Sequence, residues 1–268
     1  MRFFRPTRRV ITALAVVLLA AAACRPYRPP VPVPEPRAVS PEAWIQAFER
    51  RTRGLDRYQA IYRVRLQPEA ERTVSLQVVV SGQLPERFRI EARNTFGQTA
   101  GVVAVGPRGS GVWLSSENTL YLARDGTTIL KGLLGISMDP ALLGHLLAGC
   151  LPLEDLKRAR FRETVPNRGR LEVKDRDGAV RIAWDVGLNP PLIYGASVPE
   201  PPQALVAHFD PAVSPDPEQV PENLRIMSSR WVLEAKRVQF QKVESFPPGH
   251  FAPPSPKGAR RVLLDERP

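Results

Sequence analysis

Two cysteines and three histidines are all that 268 residues provide of the side chains most used for redox and metal chemistry. Cys24 and Cys150 allow one disulfide at most. His145, His208 and His250 are far apart, and none has a His-Glu-x-x-His spacing. There is no Gly-x-Ser-x-Gly nucleophile elbow. Gly106-Pro107-Arg108-Gly109 lacks the closing Gly-Lys-Ser/Thr of a phosphate loop and reads as a turn. Lys174-Asp175-Arg176-Asp177-Gly178 alternates acids with bases and has no distal glutamate, so it does not make a calcium loop. No catalytic residue, metal site or cofactor is expected, and the chain reads as a binding protein rather than an enzyme. The basic residues are scattered, without the Lys/Arg block or aromatic-basic motif of a nucleic-acid binder.

What is present begins at the N-terminus. Arg2, Arg5, Arg8 and Arg9 stand among the first nine residues with no acid, and Val10 to Ala23 is apolar or small apart from Thr12. The run ends in Ala21-Ala22-Ala23-Cys24. A charged start, a short apolar stretch and small residues before a cleavage point make a secretory signal. A membrane-spanning helix needs roughly 20 apolar residues, and arginine and proline follow this run too soon. The end resembles the lipobox of bacterial lipoproteins, although Ala21 stands where leucine is usual. That resemblance implies residues 1–23 as signal peptide and acylation of the Cys24 sulfur. An ordinary cleaved signal and an uncleaved anchor are the alternatives. Lipidation removes Cys24 from disulfide chemistry and leaves Cys150 without a partner, so the folded part must be held by its core.

Loss of residues 1–23 removes four arginines and no acid, lowering the net charge from +11 to +7. Export excludes nucleic acid as a partner and makes anionic lipid surfaces the natural counterpart of a basic chain. Residues 24–39 carry Pro26, Pro29, Pro30, Pro32, Pro34 and Pro36. Such a segment favours extended polyproline geometry, about 3.1 Å per residue, and reads as a semi-rigid stalk of roughly 40 Å.

Ser40-Pro41-Glu42 opens a helix with N-cap, first-position proline and acid in order, and Trp44, Ile45, Phe48 and Leu55 form its apolar side. Beyond Gly54 the period falls to two. Tyr58, Ala60, Tyr62, Val64 and Leu66 alternate with Arg57, Gln59, Arg63 and Arg65, Ile61 being the exception. Val74, Leu76, Val78 and Val80 form a second such set, and Phe88, Ile90 and Ala92 a third. These are antiparallel strands with one apolar and one wet face. Shorter strands are expected at 101–105, 111–115 and 119–123. Two leucine-rich helices then interrupt, one around Ile129, Leu130, Leu133 and Leu134, the other from Asp139-Pro140 through Leu142, Leu143, Leu146 and Leu147 to Gly149. Strands resume at 170–174 and 180–185 around the Asp177-Gly178 hairpin signal, and later at 224–227 and 231–243. Gly187 to Pro221 is proline-rich and reads as loop or irregular insertion.

The fold class expected is mainly β with some α: a curved, antiparallel, incomplete β-barrel whose concave apolar face is covered by a lid of short helices. If the lid shifts, Tyr62, Val64, Leu76, Val78, Val80, Phe88 and Ile90 of the sheet, with Leu130, Leu133, Leu143 and Leu147 of the lid, line an apolar cavity for acyl chains. If it does not, the same residues are solid core.

Several stretches resemble the outer-membrane lipoprotein receptor LolB and the LolA–LolB-like superfamily. The similarity is densest at Phe88-Arg89-Ile90-Glu91-Ala92-Arg93-Asn94-Thr95-Phe96-Gly97-Gln98. It resumes at Leu133-Leu134-Gly135-Ile136-Ser137-Met138-Asp139-Pro140 and at Leu146-Leu147-Ala148-Gly149-Cys150-Leu151-Pro152. It spans residues 40–245, leaving 246–268 as a C-terminal extension. The resemblance implies an incomplete barrel with a helical lid and a monomer. It implies binding of lipoprotein acyl chains delivered by a periplasmic LolA-like carrier, anchorage through Cys24 on the periplasmic face of the outer membrane, and no cofactor. Phe96 matches the large apolar residue that enters the membrane from an exposed loop. A phenylalanine tucked under the barrel rim is the alternative at that position. The 187–221 segment and the C-terminal extension depart from the pattern, which leaves a carrier of another lipid or an envelope-assembly scaffold as the second functional reading.

Overall fold

The computed structural model describes residues 41–69, 72–107, 109–134, 138–188, 191–199, 204–210 and 220–264. The signal, Cys24, the proline-rich stretch and the Ser40 cap lie outside the described residues. So do the side chains of Trp44, Leu133 and Leu134. The described part falls in one unit, Ala38–Pro268.

Helix α1 (Pro41–Gly54) leads into six strands: β1 (Arg57–Pro68), β2 (Val74–Gln83), β3 (Arg87–Arg93), β4 (Thr99–Gly106), β5 (Gly109–Leu114) and β6 (Thr119–Ala123). Three short helices follow: α2 (Gly126–Ile129), which continues into a π-helical turn over Leu130–Leu134, then α3 (Pro140–Ala148) and α4 (Leu153–Arg158). The chain returns to strands with β7 (Arg160–Val165), β8 (Arg168–Lys174), β9 (Val180–Leu188), β10 (Pro191–Val198), β11 (Leu205–Asp210), β12 (Asn223–Met227), β13 (Trp231–Lys242) and β14 (Arg260–Leu263). All fourteen belong to one sheet, in the order β14-β6-β5-β4-β3-β2-β1-β13-β12-β11-β10-β9-β8-β7. Every neighbouring pair is antiparallel except β14 beside β6. The two end strands, β14 and β7, do not pair with each other, so the barrel stays open.

Alternation decides which face is inside. Tyr58, Ala60, Tyr62 and Val64 are buried while Arg63 and Arg65 are exposed. Ile61, out of pattern in the sequence, sits at a register shift: Ile61 faces Gln239 and Tyr62 faces Arg237, leaving Val238 of β13 as the extra residue of a bulge. The chain between Asp177 and Ala179 turns as the Asp-Gly signal predicts, with Gly178 at φ 87° and the Asp175 amide donating to Ala179 O at 2.9 Å.

The segment from Gly187 to Pro221 corrects the expectation of an irregular insertion. It contains β10 and β11, which pair with each other and with β9 and β12. Of the described prolines, Pro191 opens β10, Pro199 follows its end and Pro221 precedes β12, places where a missing N–H does little harm to a ladder. Strand β7, also unanticipated, is an edge strand with exposed Arg160, Arg162 and Glu163, charges that discourage edge-to-edge pairing.

The C-terminal extension packs on the outside of the sheet. Phe246 stacks on His250 at 4.7 Å, and Phe251 meets both rings edge-on at 4.9 Å. Phe251 lies over Gly106 and Pro253 over Gly111, positions where a side chain would block the approach. The chain then adds β14 to the edge of β6. Arg260 to Leu263 run beside Thr119 to Leu122, so that edge of the sheet is covered.

Candidate functional site

The lid is built from local signals strong enough to be read in the sequence. Asp139 caps α3, its carboxylate accepting from the Ala141 amide at 2.8 Å, and Pro140 follows at the first position. Gly149 ends the helix at φ 61°, a left-handed conformation in which a Cβ would also strike the Pro221 ring. The mean hydropathy of α3 is high all round, and Leu142, Leu143, Gly144, His145, Leu146 and Ala148 are all buried.

The far end of the lid is tied to α1. Arg51 Nε donates to Gly149 O at 2.9 Å and Thr52 Oγ1 donates to Leu151 O at 2.7 Å, both buried. Tyr58 OH, at 3.4 Å from Gly144 O, ties the middle of α3 to β1. Burial raises the Tyr58 phenol well above its usual pKa and raises Tyr62 too, so both stay neutral donors. Cys150 is a buried free thiol, pushed up to about 12 by burial, and is therefore no nucleophile.

Tyr62, Val64, Val78, Val80 and Phe88 of the sheet and Leu130 and Leu143 of the lid are buried in one contiguous cluster, with Leu76, Ile90 and Leu147 partly buried against it. The same cluster extends across the far half of the sheet through Leu171, Val173, Ile182, Trp184 and Val186, residues that the sequence reading did not include. Their alternation was readable at 170–174 and 180–185. What was missing was the fact that these strands curl back to share one interior with β1–β3.

Two clefts flank α3 and share Asp139, Leu142 and Arg181. One, of about 460 Å³, lies toward α1, the Leu84-Pro85 turn and α4. The other, of about 570 Å³, lies toward the β8–β9 turn and Val198. The lid helix thus spans a gap in the rim and leaves open volume on both sides. Asp155, in the first cleft, pairs with Arg181 through Oδ1, while its buried Oδ2 has no partner among the described residues. Burial raises its pKa against the opposing pull of Arg181.

His145 puts a pH-dependent group in the lid. Its Nδ1 lies 2.7 Å from Ala141 O and donates to it, and burial lowers its pKa below 6.5, outweighing Ala141 and Asp139. The folded state therefore holds fewer protons on this residue than the unfolded state does, and stability is lost as pH falls below about 6.5. His145→Gln is expected to flatten the melting-temperature profile between pH 6.5 and 5, measured beside the wild-type chain. An unchanged profile would remove His145 as the source.

Phe96 is 87% exposed. It sits in a turn that is rigid although it is a loop. The Asn94 amide donates to Gln98 O at 2.9 Å and the Gly97 amide to Asn94 O at 3.0 Å. Asn94 Oδ1 accepts from the amides of Phe96 and Gln98, both at 3.0 Å. Gly97 adopts φ 79° with open space around it. The turn presents the phenyl ring to solvent instead of folding it under the rim.

Among the described residues no group of three or more His, Cys, Asp or Glu side chains comes together as a metal site. No helix of the described residues is long and apolar enough to cross a membrane.

No protein-family model matches the chain, and no curated protein matches it in sequence. Solved structures do. A DUF1329 family protein from Desulfovibrio piger superposes with a TM-score of 0.53 at 11% identity, over 80% of this chain and 98% of that one. A LolA superfamily protein from Nitrosomonas europaea gives 0.47 at 13% identity, over 80% and 98%. A putative outer membrane lipoprotein-sorting protein domain from Vibrio parahaemolyticus gives 0.45 at 7%, over 78% and 94%. At these identities the likeness concerns fold, and the Desulfovibrio protein carries it. The chain thus has an incomplete-barrel fold with a helical lid, as its resemblance to the LolA–LolB-like superfamily implies.

Proposed function

We propose that this protein is an outer-membrane lipoprotein, anchored through acylated Cys24, that receives lipoprotein acyl chains under its lid and passes them to the bilayer. The observation that carries the reading is Phe96, an exposed aromatic ring held on a hydrogen-bonded turn at the sheet rim. A ring kept in water at the tip of a stiff turn has its natural destination in an apolar phase. The clefts beside α3 support an opening lid. Opening would expose Tyr62, Val64, Leu76, Val78, Val80, Phe88 and Ile90 of the sheet, and Leu130, Leu143 and Leu147 would line the other wall. Transfer then runs on differential affinity, from a periplasmic LolA-like carrier to this protein to the membrane, with no cofactor. The protein acts as a carrier and not as an enzyme.

Native mass spectrometry of the full chain carrying Cys24→Ser, after incubation with a triacylated lipopeptide, tests the cavity. A one-to-one complex is expected. A domain that stays empty would overturn the carrier reading and favour an envelope scaffold, to which the close packing of the same inner-face residues in one core would then be the guide. Membrane fractionation of Cys24→Ser tests the anchor: release from the membrane fraction is expected.

A further inference from the structure

The outward face of the sheet carries a cleft of its own. Along β1, β13, β12 and β11 two rows of side chains stand in register on the side opposite the core. One row is Arg65, Glu234, Arg225 and His208; the other is Arg63, Lys236, Asn223 and Asp210. They border a cleft of about 710 Å³ that reaches across to Tyr194 and Arg168, whose guanidinium lies 4.2 Å above the tyrosine ring. That volume lies in the range of small-ligand sites.

Among the described residues that line the cleft, Arg63, Arg65, Arg168, Arg225 and Lys236 face two acids, Asp210 and Glu234. Glu234 lies 3.7 Å from Arg225, and Asp210 accepts from Asn223 at 3.3 Å. Arg63 and Lys236 are direct cross-strand partners, and neither has an ion-pair partner among the described residues. Like charges placed opposite one another weaken a sheet, so the pair is a cost that an anion between them would reverse. The cleft is also placed with Phe96. Arg63 is in register with Gln77 and, through it, with Arg93, the residue before the Phe96 turn.

We infer that this outer cleft is an anion site that takes a phosphate group, from a lipid headgroup or a soluble phosphate compound, with Arg63 and Lys236 as its central ligands. Arg65, Arg225 and Arg168 surround that pair, and guanidinium forks suit phosphate oxygens in two-point contact. The inference does not rest on acyl binding under the lid, because the cleft lies on the opposite face of the sheet.

Isothermal titration of sodium pyrophosphate into the full chain in neutral detergent at low salt reads the site directly. A parallel arm compares association with micelles doped with phosphatidylglycerol or with phosphatidylcholine. The variant Arg63→Gln/Lys236→Gln is expected to weaken pyrophosphate binding at least about tenfold, while Arg162→Ala/Arg176→Ala, exposed and outside the cleft, leaves it unchanged. The melting temperature of Arg63→Gln/Lys236→Gln should hold or rise, since that variant removes a repulsion. Pyrophosphate binding without preference for phosphatidylglycerol identifies a soluble phosphate compound as the source. A phosphatidylglycerol preference lost in the Gln/Gln variant identifies a lipid headgroup. Absence of both kinds of binding overturns the site, and so does an equal loss in the two double variants. Phe96→Glu should leave pyrophosphate binding intact, which separates failure of this site from failure of the membrane-transfer role.

Discussion

Phe96→Glu is expected to leave the folded domain almost untouched while cutting its association with lipid vesicles by about ten- to a hundredfold. The stability side follows from exposure. A ring 87% open to solvent contributes little packing, so the substitution should stay within about 0.5 kcal/mol, or roughly 2 °C in melting temperature for a domain of this size. The turn does not depend on the ring, because its hydrogen bonds run through Asn94, Gly97 and Gln98. The membrane side follows from transfer. Burying a phenylalanine in an apolar phase gains about 1.5–3 kcal/mol, and each 1.4 kcal/mol is tenfold in affinity. That is enough to hold a loop at a bilayer briefly and too little to anchor a protein, which suits a reversible handover. Vesicle flotation of the Cys24→Ser chain, with and without Phe96→Glu, measures one half and thermal denaturation the other. A fall of many degrees in melting temperature, or unchanged flotation, would remove Phe96 from the transfer step.

Trp184 should give the largest effect on stability. It is fully buried between Leu171 of β8 and Ala196 of β10, and its indole Nε1 has no hydrogen-bond partner among the described residues. Trp184→Ala removes the largest side chain in the interior and is expected to cost about 3–5 kcal/mol, roughly 6–20 °C of melting temperature. Trp184→Phe should behave quite differently. An unsatisfied buried donor costs about 1–3 kcal/mol, and phenylalanine removes it while losing only part of the ring volume. The two terms oppose, so the variant is expected within about 1 kcal/mol of wild type. Denaturant unfolding of the three proteins decides the point. If Trp184→Phe lost as much as Trp184→Ala, the indole N–H would be bonded in solution, and ring volume would not be the controlling quantity.

Much of this architecture is legible in the chain because local rules act alone there. Period-two alternation marks β1, β2 and β3, and the Asp139-Pro140 start and Gly149 stop mark α3, since cap chemistry and side-chain alternation need no distant partner. Phe96 in an Asn-Thr-Phe-Gly-Gln turn is also readable as a candidate. The strands between Gly187 and Pro221 are not, because proline weighs against a strand wherever its position in the ladder is unknown. Pairing with β9 and β12 supplies the ladder and leaves Pro191 and Pro199 at the ends of β10.

By itself, then, the sequence determined the kinds of element, their order, and which face of each strand is apolar. Only the tertiary structure decided that Phe96 points outward, that Trp184 lies at the heart of the same interior as Tyr62, and that Arg63 meets Lys236 across two strands more than 170 residues apart in the chain. Alternation tells which side of a strand a residue occupies. The neighbour it meets there depends on sheet order and register, and these are set by contacts between segments that no short window of sequence contains.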